Sequence, residues 1–98
     1  MIKHTVFFKL KHAADSPEET QFLKLAMELA KIPEVRDLEC VAQVGKKNSF
    51  TYGLLMGFDN QEDYDTYNNH PSHVEFVTEH WLKEVEDFLE IDYVAHSV

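Results

Sequence analysis

The sequence predicts an α+β domain in the order strand, helix, strand, strand, helix, strand, folded as one antiparallel four-stranded sheet with its helices on a single face. Three observations predict it. Residues 2–11 alternate with a period of two, capping signals stand at Ser16-Pro17-Glu18-Glu19 and at Asn60, and two short apolar runs lie between them, separated by a polar turn.

Ile2 to Lys11 puts Ile2, His4, Val6, Phe8 and Leu10 on one face and Lys3, Thr5, Phe7 and Lys9 on the other, which makes it a strand. Ser16 reads as an N-cap, Pro17 as the first helical residue and Glu19 as the acid of a capping box. Phe22, Leu25, Ala26 and Leu29 form the apolar stripe of that helix. Pro33 ends it, because the residue before a proline is pushed out of the α region. Leu38–Val44 and Phe50–Phe58 are the second and third strands, joined by the turn Gly45–Ser49. Leu54 beside Leu55 makes the third strand apolar on both faces, which suits a central position. Asn60 caps a helix carrying Tyr64 and Tyr67, and His70-Pro71 breaks it. Ser72 and Glu75 predict a second capping box for a helix running to about Asp87, and Leu89–His96 is the last strand.

This order is that of the ferredoxin-like fold. The sheet face away from the helices is predicted to carry Phe7, Leu55 and Val94 among Lys9, Glu90 and Asp92, with Gly53 and Gly57 beside them. Such a mixed face is expected to be covered by the sheet of an identical chain, giving a homodimer. A stable interface of that kind buries on the order of 1,600 Å² in total.

The 98 residues suit one domain, 1–98, which buries roughly two-thirds of its unfolded surface. A net charge of -9 argues against nucleic acid and anionic membranes as partners, since both demand clustered Lys and Arg. No run approaches the ~20 apolar residues of a membrane span. Lys3, His4, Lys9 and Lys11 interrupt the N-terminal segment, so no leader is expected. The single Cys40 forms no internal disulfide, and Glu39 beside it does not lower a thiol pKa. A soluble, reducing, cytoplasmic setting without a cysteine nucleophile is the expectation.

The residues with chemical potential cluster late in the chain. His73 shares a helix face with Phe76, Val77 and Trp81, close in sequence to Tyr64 and Tyr67. An imidazole on an apolar face, near phenols, either lines a small-molecule pocket or locks the helix corner by bonding the backbone or the Tyr67 hydroxyl. His4 points to the helix side of the first strand, as a pocket residue or as a satisfied core histidine. His70 falls in a turn, and His12, His80 and His96 are expected to be solvated. No metal is expected, because His70 and His73 straddle a helix break and no Cys-x-x-Cys or His-Glu-x-x-His occurs. With only three glycines there is no phosphate loop, and no cofactor is expected.

The strand IKHTVFFKLK, the Ser-Pro-Glu-Glu start, the Ile32-Pro33 break, Phe58-Asp59, the Tyr67-x-x-His70-Pro71-x-His73 element and the closing Asp92-Tyr93 together resemble the stress-responsive α/β-barrel domain (Dabb) family. The resemblance covers nearly the whole chain. It implies a homodimer whose two sheets face each other as a dimeric α/β barrel, with no assigned reaction in most members. One enzymatic branch, the plant polyketide cyclases, closes a tetraketide thioester product into an aromatic acid with a histidine–tyrosine pair. By motif that pair falls on His73 and Tyr67, with a further pocket histidine on His4 and another replaced by Tyr52. The cyclase cavity would be lined here by Val6, Phe8, Phe22, Leu25, Leu54 and Trp81. Two readings stay open: a non-enzymatic stress-responsive dimer that binds a small apolar metabolite, and a cofactor-free, polyketide-cyclase-like lyase acting on a β-dicarbonyl compound.

Overall fold

A computed structural model describes residues 1–98. Four strands, β1 (Ile2–Leu10), β2 (Arg36–Ala42), β3 (Tyr52–Phe58) and β4 (Val85–Tyr93), form one antiparallel sheet in the order β2-β3-β1-β4. Between β1 and β2 runs α1 (Pro17–Met27), continued by a 3-10 turn (Glu28–Lys31). Between β3 and β4 run α2 (Gln61–Asn69) and α3 (Pro71–Phe76), then a π-helical turn (Val77–Trp81) and a last α turn, α4 (Leu82–Glu84). No helix is long and apolar enough to cross a membrane.

Local chemistry sets most of these boundaries. The Ser16 hydroxyl accepts from the Glu19 amide and the Asn60 side chain from the Asp63 amide, each satisfying an amide that the first turn leaves unpaired. Glu19 is buried and accepts from the Asp15 amide and the Tyr52 hydroxyl, so the capping acid doubles as a tie to β3. Ile32 adopts the extended conformation that Pro33 demands. At the second break the cap is His70 rather than Ser72: its Nδ1 accepts from the Ser72 amide, and Pro71 takes the first helical position.

The largest departure from the sequence pattern lies in β4. The helix ends at Glu84, not near Asp87, because the chain is clasped there to the end of β1. The Lys11 amide donates to the Glu84 carbonyl, and His12 and His80 both bond the Glu84 carboxylate, at 2.7 and 3.0 Å. Those two histidines are therefore paired rather than merely solvated. Strand pairing begins at once, with Val85 opposite Leu10, and stops at Tyr93, leaving Val94 outside the strand. The register sets Asp92 opposite His4 and Glu90 opposite Val6, on the helix side of the sheet. The sequence pattern alone puts both on the bare side, and the earlier start of the strand corrects it.

The bare side instead presents Leu89, Ile91 and Tyr93, all exposed, beside Phe7 and Leu55. Phe7 lies across Gly53, where an added Cβ would stand 2.5 Å from its ring. Lys9 pairs with Glu86 at 2.8 Å on β4. The amphipathic pattern of β4 is thus inverted, with its apolar row facing away from the helices.

The core fills the space between sheet and helices. Phe8 and Phe22 are fully buried with ring centroids 5.8 Å apart, and Trp81 lies 5.1 Å from Phe8. Phe58 is also fully buried; it stacks on Tyr64 at 4.8 Å and packs 5.0 Å from Tyr67.

Candidate functional site

A cavity of about 270 Å³ opens between the sheet and the α2–α3 corner. Its floor is sheet: His4 and Val6 from β1, Leu54 and Met56 from β3. Its roof is helix: Leu29, Tyr67, His73, Phe76, Val77 and Trp81. At the rim stand Asn68, Leu82, Phe88 and Glu90, all exposed, so the cleft communicates with solvent. The π turn carries Val77 and Trp81 into this wall.

Of the residues singled out from sequence, His4, Tyr67, His73, Val6, Leu54 and Trp81 meet here. Four others do not line the cavity. Phe8 and Phe22 belong to the closed core, where ring packing leaves them no exposed surface. Leu25 borders a separate groove between α1 and α3. Tyr52 begins β3 opposite Phe8, and its hydroxyl donates to Glu19 at 2.6 Å. That hydrogen bond, with burial, pushes the Tyr52 pKa up to about 12.

His73 is held by its Nδ1–H, which donates to the Asn68 carbonyl at 3.1 Å, one of the carbonyls left free where α2 ends. The imidazole bonds that backbone group and not the Tyr67 hydroxyl, though the two rings lie 4.3 Å apart. Burial lowers the His73 pKa from the ordinary imidazole value of 6.5, so the ring is neutral at pH 7 with its lone pair on Nε2.

His4 belongs to a network that the sequence did not reveal. Its Nδ1 lies 2.5 Å from Asp92 Oδ1 and 2.9 Å from the Tyr64 hydroxyl, and that hydroxyl donates to Asp92 Oδ2 at 2.7 Å. The arrangement assigns the proton to Nδ1 and the lone pair to Nε2. Burial first, then the bond to Asp92, raises the Tyr64 pKa and keeps the phenol protonated. The signal was present in the alternation Phe88, Glu90, Asp92, which the strand register sets opposite Phe8, Val6 and His4.

Every fully buried side-chain nitrogen and oxygen has a hydrogen-bond partner. The Tyr67 hydroxyl, His73 Nε2 and His4 Nε2 have none within the chain, so each reaches accessible space, and the cavity is the space their side chains line. Burial raises the Tyr67 pKa, with the Glu90 charge adding to it. Because its hydroxyl makes no internal bond, Tyr67→Phe should change stability by less than about 0.5 kcal/mol in urea denaturation. A loss above about 1 kcal/mol would mean that the hydroxyl is bonded after all.

His4, Glu90 and Asp92 bring three potential ligand atoms within 4.8 Å of one another. A cation there would have to displace the proton that Nδ1 shares with Asp92.

Known proteins share this fold. The family described as the stress responsive A/B barrel domain (Dabb) matches residues 2–95. A Dabb family protein of Mesorhizobium loti with a ferredoxin-like fold is 46% identical, with a TM-score of 0.96 over 98% of this chain and 97% of its own. A dimeric ferredoxin-like protein of unknown function from Bacteroides fragilis is 27% identical, with a TM-score of 0.70 over 94% and 93%. A stress-response A/B barrel domain-containing protein of Arabidopsis thaliana is 29% identical over 100 residues; the match takes in all of this chain but 38% of that protein. From a family match that runs nearly end to end, the chain belongs to the stress responsive A/B barrel domain family.

Proposed function

We propose that the cavity binds a small, mostly apolar carbonyl compound and that its imidazoles move a proton on that compound without a cofactor. What carries the reading is that three side chains with an unpaired polar atom, Tyr67 Oη, His73 Nε2 and His4 Nε2, line one cavity whose walls are otherwise built of residues such as Val6, Leu54, Phe76 and Trp81. Concave, apolar and sparsely polar is the form that small-molecule sites take.

In outline, His73 Nε2 removes the proton from a carbon flanked by carbonyl groups. The electrons of that C–H bond pass to a carbonyl oxygen as an enolate, and the Tyr67 hydroxyl donates a hydrogen bond to it. Its raised pKa means that Tyr67 donates a hydrogen bond and keeps its proton. His4, oriented by Asp92 through Nδ1, turns the lone pair of Nε2 outward as a second acceptor, and the proton that His73 takes up returns to the product from His73 Nε2. Aldol-type ring closure proceeds through such an enolate.

The test is turnover of an uncharged tetraketide N-acetylcysteamine thioester, followed by the absorbance of the aromatic product. Closure faster than in buffer is expected. A rate equal to that in buffer, with the compound bound, would leave a dimer that holds an apolar metabolite. One observation favours that second reading: with Tyr52 committed to Glu19, β3 brings only Leu54 and Met56 to the cavity.

The same proposal includes a homodimer formed through the bare sheet face. Support comes from the exposed row Leu89, Ile91 and Tyr93 and from the dimeric relative in Bacteroides fragilis. Sedimentation at micromolar concentration should find two chains, and Ile91→Glu should shift the protein to a folded monomer. A wild-type monomer there would end the dimer proposal.

A further inference from the structure

The cavity has a charge character that its apolar walls conceal. No Lys or Arg is among the residues that line it, and its one acidic side chain is the carboxylate of Glu90 at the mouth. Glu90 sits on the helix side of β4 opposite Val6, and its side chain is 49% exposed. It stands 3.6 Å from His4 Nδ1 and 3.5 Å from the Tyr64 hydroxyl, so it looks inward as well as outward. Asp92 places a second negative charge beside it, already shared between His4 and Tyr64.

We infer that this site takes uncharged ligands and turns away carboxylates and phosphates, with Glu90 the residue that sets the preference. The inference rests on the reading of the cavity as a ligand site and narrows its substrate class to neutral ketones, aldehydes, esters and thioesters. An anion entering between Leu82, Phe88 and Glu90 meets a like charge at the rim and finds no Lys or Arg inside. Burial holds the His73 ring uncharged at pH 7 and above, so it supplies no cation there either. The chain's net charge of -9 repels in the same sense at longer range. Two charges a few ångströms apart at a protein–water boundary repel enough to change affinity by about tenfold.

The test compares benzylacetone with hydrocinnamate, which share a phenylethyl body and differ by a methyl group in place of a carboxylate oxygen. Binding is followed on the indole N–H resonance of Trp81, the single tryptophan, which lines the cavity. Benzylacetone should bind at least about tenfold more tightly at pH 7.5 and low salt, and added salt should shrink the ratio because the mouth is solvated. In Glu90→Gln the ratio should narrow by about tenfold through tighter binding of hydrocinnamate. Equal affinities in the wild type, or an unchanged ratio in the variant, would overturn the inference and leave the ligand site standing. No response of the indole to either probe would remove the ligand-site reading, and the inference with it.

Discussion

Phe58→Ala should destabilise the protein by about 3–5 kcal/mol, the cost of emptying a fully buried aromatic site. Phe58 ends β3 with no exposed surface, stacked on Tyr64 and packed against Tyr67, with His4 at 6.5 Å. It therefore supports both phenols and one imidazole of the candidate site from below. The ring is lost where helix α2 meets the sheet, and neither Tyr64 nor Tyr67 can move into the gap without giving up its own position. Urea denaturation followed by circular dichroism measures the loss, with Phe58→Leu expected to recover a large part of it. A cost below about 2 kcal/mol would mean that the corner collapses easily and that Tyr64 and Tyr67 are not held in place by packing.

His73→Ala should slow closure of the tetraketide thioester by about 10²–10⁴-fold, the usual worth of a positioned general base. The fold should survive, since the side chain is half-buried and its one bond, to the Asn68 carbonyl, is worth about 1 kcal/mol. The pH profile gives an independent readout. A base works in its neutral form, and burial lowers the His73 pKa, so the acid limb of the wild-type rate should lie below 6.5 and disappear with the imidazole. If His73→Ala unfolds, the ring is a corner lock; if it retains the rate, His4 is the better candidate for the base.

How far the chain can be read in advance depends on how local each signal is. β1, the Ser16 and Asn60 caps and the Pro33 stop follow from neighbours within four residues, and the structure repeats them. The end of the last helix does not follow, because no glycine or proline marks Glu84-Val85. The stop there comes from contacts with Lys11 and His12, more than seventy residues away. Once that boundary is misplaced, β4 loses its phase, and a slip of one residue exchanges its two faces. Glu90 and Asp92 then fall on the bare side, and the His4–Asp92–Tyr64 network stays hidden. His73 and Tyr67 can be placed together because a short helix break joins them. Phe8, Phe22, Leu25 and Tyr52 share the helix side of the fold, yet only three-dimensional packing decides which apolar residues bound an opening and which close it.

β1 and β4 lie side by side in opposite directions, with Lys3 across from Tyr93. Polypeptide attached ahead of the one and behind the other would enter and leave at the same end of the sheet. Tension along such a tether peels this pair apart one rung at a time, where a parallel arrangement would load all rungs together, so the unit should yield at low force however well its interior is filled. The same geometry suits it to insertion within a loop of a host protein, hanging from two close attachment points, and spares the host any need to span its width.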